Sequence, residues 1–172
     1  MADRRVETIA EGEDAKGRSV IGGRMSKFEA TNPNFAQDME RLVESMPIVT
    51  FLGLRFLSLE PGEVRIVMPY RDELAFLPGT FHAGPIGTLA EIAAGWSVAT
   101  LLPVGWGNAT VDFSVKIFAP AIGSSLVACG TALSAGKTLS VGEAKVSVLQ
   151  NGVETLCASG MATLRNFRAA TE

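Results

Sequence analysis

Between Glu73 and Asp112 the chain carries one formally charged side chain, Glu91, and the only histidine of the protein, His82. In a chain that is 19% charged, a window of about 38 residues should hold roughly seven charges. The part from about Gly84 to Leu102 opens with Pro85, suited to a first helical turn, and is closed by Pro103 and Gly105. Its Gly87, Ala90, Ala93, Ala94, Gly95 and Ala99 would let other backbone or side chains approach closely. A helix that is apolar or small nearly all round belongs in a core. The rest of the chain must therefore wrap it, and a carboxylate on it needs a partner or a chemical role, because an unpaired buried charge is costly.

The flanking segments supply the wrapping. Phe35, Met39, Leu42, Val43 and Met46 recur at helical spacing between Asn34 and Met46, bounded by Pro33 and Pro47. That predicts an amphipathic helix against the main body; its polar face is not basic, which disfavours a membrane-surface role. Phe51–Leu59 and Val64–Pro69 flank Pro61-Gly62 and read as a hairpin, and Tyr70–Pro78 as a connection. After the helix, strands are expected over about Ala109–Phe118, Ser125–Leu133, Thr138–Leu149 and Thr155–Asn166, the last two joined through Asn151-Gly152. The four should form an antiparallel meander. The class is α+β: a curved antiparallel sheet of about six strands wrapped around one long central helix, with an extra N-terminal helix.

Residues 1–24 mix both charge signs with Gly and almost no large apolar residues, and a flexible tail over 1–30 is expected ahead of a single domain at 31–168. Met25, after Gly22-Gly23-Arg24, is a candidate alternative start. No run of about 18 apolar residues suggests a membrane span. Net charge of −3 and a pI near 5.3 disfavour a broad nucleic-acid surface. With no secretory h-region, and with Cys129 and Cys157 expected as reduced, packed thiols, the cytoplasm is the default compartment.

Gly79-Thr80-Phe81-His82-Ala83-Gly84, followed by Leu89-Ala90-Glu91, is similar to a pattern of the hotdog fold, G-T-L-H-G-G and then L-A-[DE]. The chain resembles thioesterases of the PaaI-like branch from roughly Met46 to Phe167. Leu59-Glu60-Pro61-Gly62, Val111-Asp112, Phe118-Ala119-Pro120 and Gly136-Lys137-Thr138-Leu139 support the likeness. The resemblance implies hydrolysis of an acyl-CoA thioester in a homodimer or dimer of dimers, with sites at the subunit interface and no cofactor beyond the CoA of the substrate. Glu91 would be nucleophile or general base. The Ala83/Gly84 helix start would polarise the carbonyl, and His82 would position that turn. Thr110 aligns with a hydroxyl that some members contribute from the partner subunit. Two positions depart from the pattern. Phe76 stands six residues before the histidine, where the family often has Asn or Gln, and Ala83 replaces a glycine.

Chemistry agrees with that assignment. A helix N-terminus offers unpaired N–H groups and a positive dipole end to a developing oxyanion, and a thiolate leaves without a second acid. Glu91 lies near two turns, roughly 10 Å, past the helix start, so a donor from one subunit and a carboxylate from another make a workable site. Phe76, Thr110 and Lys137 are the substrate-binding candidates, Lys137 toward a CoA phosphate. Plainer readings are a paired core carboxylate for Glu91, a turn histidine for His82, a strand threonine for Thr110 and a solvated turn lysine for Lys137, with Arg165 and Arg168 in the same position. No metal-ligand cluster is recognisable. The alternatives are a hydratase, disfavoured by the nine-residue His82–Glu91 interval, and a non-catalytic acyl-CoA or lipid-like ligand-binding hotdog dimer.

Overall fold

The computed structural model describes residues 28–169 and two short paired strands, β1 (Gly12–Glu13) and β2 (Ser19–Val20). Most of the expected tail, Met25 included, lies outside the described residues. Helix α1 spans Phe35–Ser45 and buries Met39 and Val43, while Leu42 stays exposed. Its start is organised by Asn32: the side-chain amide donates to Asp38 Oδ2 at 2.8 Å, and Asn32 Oδ1 accepts from the Asn34 N–H at 2.9 Å.

A short helix, α2 (Pro47–Leu52), follows at once. Here the expected strand start at Phe51 is corrected: Phe51 lies in the last turn of α2, and β3 spans Arg55–Glu60. Ile48-Val49-Thr50-Phe51 has strand propensity, but Pro47 at the helix start and Gly53 at φ 67° in the left-handed cap close a helical turn around it. Burial of Val49 and Leu52, three apart, then outweighs propensity. β3 pairs with β4 (Glu63–Pro69) across Pro61-Gly62, with Gly62 at φ 78°.

The expected connection after Pro69 has structure of its own. A 3₁₀ turn at Asp72–Leu74 leads to β5 (Ala75–Leu77), which pairs with β6 (Thr80–Phe81). Tyr70 ties it down, accepting from the Gly79 N–H at 2.8 Å and stacking edge-on against Phe81 at 5.3 Å. The long helix α3 then spans Ala83–Ala99. It is followed by β7 (Trp106–Ile117), β8 (Ser125–Ala135), β9 (Leu139–Gln150) and β10 (Val153–Arg168).

One antiparallel six-stranded sheet results, in the order β3-β4-β8-β9-β10-β7. The expected four-strand meander is thereby corrected. Only β8, β9 and β10 run as neighbours in sequence order; β7 pairs with β10 at the far edge, and β8 pairs with β4. Strands β4 and β7, on either side of α3 in the chain, take opposite flanks of the helix. The three later strands fill the sheet between them, an order that no local signal specifies.

The inner face is lined with small residues where it meets α3. A Cβ on Gly130 would stand 2.0 Å from the Ala93 carbonyl oxygen, and one on Gly142 2.2 Å from that of Ala94. Backbone therefore rests on backbone, and Leu126, Ala128, Ala144, Val146, Ala158, Ala162 and Leu164 complete the core. Gly142→Ala should destabilise the fold by about 3 kcal/mol, as overpacking does, read as a lower urea midpoint. Gly87→Ala should do the opposite, because its Cβ meets only Val115 at 3.6 Å; a helix-propensity gain of about 0.5–1 kcal/mol is expected.

Candidate active site

His82 is the residue that caps α3. Its backbone is extended (φ −71°, ψ 156°), and its Nδ1 accepts from the Gly84 N–H at 3.0 Å, the role usually taken by Ser or Asp. Its own N–H donates to the Leu74 carbonyl at 2.9 Å, and the Phe81 N–H donates to Ala121, so the turn is held from two sides. Of the two amides expected as donors, Gly84's is engaged by His82. The Ala83 N–H has no hydrogen-bond partner among the described residues, and the residue is exposed.

Ala83 borders a largely apolar cavity of about 320 Å³, lined also by Phe76, Phe81, His82, Ile86, Ile117, Ala119 and Pro120 among others. The Phe76 ring lies 6.3 Å from the His82 ring, tilted by 46°. Thus the structure brings Phe76, His82 and Ala83 together.

Glu91 is elsewhere on α3, half-buried, eight residues and about 12 Å along the axis from Ala83. Its Oε1 accepts a hydrogen bond from the Thr110 hydroxyl on β7 of the same chain. Two features aim Thr110 at it. Asn108, two residues earlier on the same face, donates to the Gly95 carbonyl at 3.1 Å and ties β7 to the helix. A β-bulge then follows: Leu164 pairs with Thr110 and Thr163 with Asp112, leaving Val111 extra. The bulge changes which residues face inward, so Asn108 and Thr110 before it and Val115 after it all face α3. Neither Asn108 nor the bulge was singled out from the sequence. The alternate placement of Asn108 and Thr110 is the signal that could have marked that face.

Lys137 lies apart from both groups, in the turn between β8 and β9. It borders a second cavity of about 340 Å³ with Leu101, Trp106, Ser140 and Asn166, past the C-terminal end of α3. Burial pushes the thiols of Cys129 and Cys157 above the ordinary range, with Glu63 adding to the effect at Cys129. Both therefore hold less thiolate at neutral pH than a free cysteine. Among the described residues no group of three or more His, Cys, Asp or Glu could hold a metal, and no helix is long and apolar enough to cross a membrane.

No family model matches the chain. A protein of Halobacterium salinarum with a provisional esterase designation is 30% identical over 152 residues, covering 84% of this chain and 99% of the relative. Among solved structures, a thioesterase family protein from Silicibacter pomeroyi superposes with a TM-score of 0.76 at 30% identity, over 78% of this chain and 99% of that one. The E. coli PaaI protein of the phenylacetic acid degradation operon shares the fold, with a TM-score of 0.70 at 15% identity over 82% and 99% of the two chains. The chain belongs to the hotdog thioesterase superfamily, in agreement with its PaaI-like motif.

His82→Ala removes the cap on Gly84 and should cost about 1 kcal/mol of stability. Chemical denaturation measures it, and His82→Asn should recover most of the loss.

Proposed function

We propose that this protein hydrolyses acyl-CoA thioesters, with Glu91 as the general base or nucleophile and the Ala83 amide as the donor to the carbonyl oxygen. The observation that carries this reading is the pairing of Glu91, the single charge on α3, with the Thr110 hydroxyl. The hydrogen bond orients the carboxylate through one oxygen and leaves the other for a water. In the general-base form, that water attacks the thioester carbon and gives its proton to Glu91. The oxyanion gathers charge at the Ala83 N–H, and the C–S bond breaks to release CoA as a thiolate, which is then protonated. Such a donor contributes roughly 2.7–4 kcal/mol to transition-state stabilisation, and a positioned base roughly 10²–10⁴-fold.

The axial gap of about 12 Å between Ala83 and Glu91 means that one copy does not supply both groups to one carbonyl. A site shared between two copies of the chain does. The cavity at Phe76 and His82 would take the acyl end, and Lys137 lies outside the part of the site that one copy builds. A second reading, acyl-CoA binding without turnover, is favoured by Phe76: a ring 67% exposed stands where the resembled family often has an amide to orient water.

A thiol-release screen over short, medium, long and aryl acyl-CoAs separates the two. Turnover is expected for at least one class, with kcat about 100-fold or more lower in Glu91→Gln and KM little changed. Unchanged turnover in that variant would remove Glu91 from the chemistry. Tight binding of a CoA ester with no thiol released would establish the binding module instead.

A further inference from the structure

Tyr70, the only tyrosine of the chain, follows β4 directly. Three of its groups reach three different segments. Its backbone N–H donates to the Ser124 carbonyl at 2.9 Å, in the loop between β7 and β8. Its ring meets Phe81 edge-on, the centroids 5.3 Å apart. Its hydroxyl accepts from the Gly79 N–H at 2.8 Å and donates to Asp72 Oδ1 at 3.1 Å. Gly79 is in the turn of the β5–β6 hairpin, at φ 77°, so the hydroxyl grips that hairpin at its tip. The Gly79 carbonyl is held as well, accepting from the Gly123 N–H at 3.3 Å.

That hairpin is a wall of the cavity at the start of α3. Phe76, Thr80 and Phe81 line one side, and Ile117, Ala119 and Ala121 the other. The hairpin is outside the main sheet, and two strands alone are marginally stable. Phe81 is fixed, 3% exposed and with its N–H on the Ala121 carbonyl at 2.9 Å. Phe76 is not. Ala75 pairs with Phe81 and Leu77 with Thr80, which leaves Phe76 as the unpaired residue of a bulge, its ring 67% exposed. Packing holds this ring so little that its place beside the cavity, 6.3 Å from the His82 ring, follows the backbone of the hairpin. Among the described residues, Tyr70 is the side chain hydrogen-bonded to that backbone.

We propose that the Tyr70 hydroxyl is a positioning group for substrate: by holding the tip of the hairpin it keeps Phe76 against the cavity and fixes the width of the pocket that takes the acyl end. The inference rests on the reading of that cavity as the acyl site. Tyr70 acts on the cavity wall and not on the turn at His82, which has its own ties to Leu74 and Gly84. Losing the hydroxyl therefore removes binding common to the ground state and the transition state, which raises KM and leaves kcat.

Tyr70→Phe tests this, because it keeps the ring on Phe81 and removes both hydrogen bonds of the hydroxyl. Affinity is read by calorimetry on the full chain with S-hexyl-CoA and S-benzyl-CoA, thioethers that have no carbonyl to hydrolyse. Kd for whichever binds should rise roughly three- to ten-fold, the worth of one hydrogen bond. KM should rise alike, with kcat within about two-fold of the parent. Amide exchange at Gly79 should quicken while that at Gly84 is unchanged, a split that a general loss of stability does not produce. In a Phe76→Ala background the same substitution should leave Kd unaltered, because the side chain that Tyr70 positions is gone. A Kd unmoved by Tyr70→Phe, an equal rise in the Phe76→Ala background, or binding of neither thioether overturns the inference. If Kd responds as stated while Glu91→Gln leaves thiol release unchanged, the role of Tyr70 stands and the catalytic reading falls. An unresponsive Kd with thiol release lost in Glu91→Gln retains the catalytic reading and removes the role of Tyr70.

Discussion

The fold depends on how closely α3 lies against the sheet. At Gly130 and Gly142 the strands meet the carbonyls of Ala93 and Ala94 with no room for a side chain, and the helix answers with Ala and Gly on its own surface. A core built this way has little of the large side-chain volume that usually separates a helix from a sheet. Every strand that wraps the helix must therefore curve around it, and the sheet closes to six strands with β3 and β7 as edges.

That contact also decides where a charge can be. Glu91 is tolerated on α3 because it faces β7, the edge strand, where Thr110 donates to it. Placed toward β8 or β9 it would meet fully buried positions such as Ala128 and Val146, without a donor and without water. The bulge at Val111 completes the arrangement. It lets a single strand present Asn108 and Thr110 to the C-terminal half of the helix and Val115 to the N-terminal half. At the start of α3, His82 satisfies the Gly84 amide, and the Ala83 amide has no partner among the described residues, beside an apolar cavity.

Much of this was legible in the residues because it is written in local chemistry. The isolation of Glu91 in an apolar helix, Pro85 at its start, Pro61-Gly62 in the first hairpin and Asn151-Gly152 in the last are all short-range signals. Local preference and tertiary packing disagree elsewhere. Ile48-Val49-Thr50-Phe51 favours a strand by composition, yet caps at both ends and burial of Val49 and Leu52 make it helical. The place of β7 in the sheet had no local signal, because it leaves its sequence neighbour β8 to pair with β10, about forty residues later at its nearest partner.

The sequence by itself determined that one small-faced apolar helix must be enclosed, that its lone carboxylate needs a partner, and that a histidine stands where the helix begins. These follow from burial energetics and capping, which act within a few residues. Only the tertiary structure decided which hydroxyl holds Glu91 and which amide His82 leaves open. Those outcomes depend on strand order and on one bulged residue. Both are set by how the whole sheet packs around α3, which no local stretch encodes.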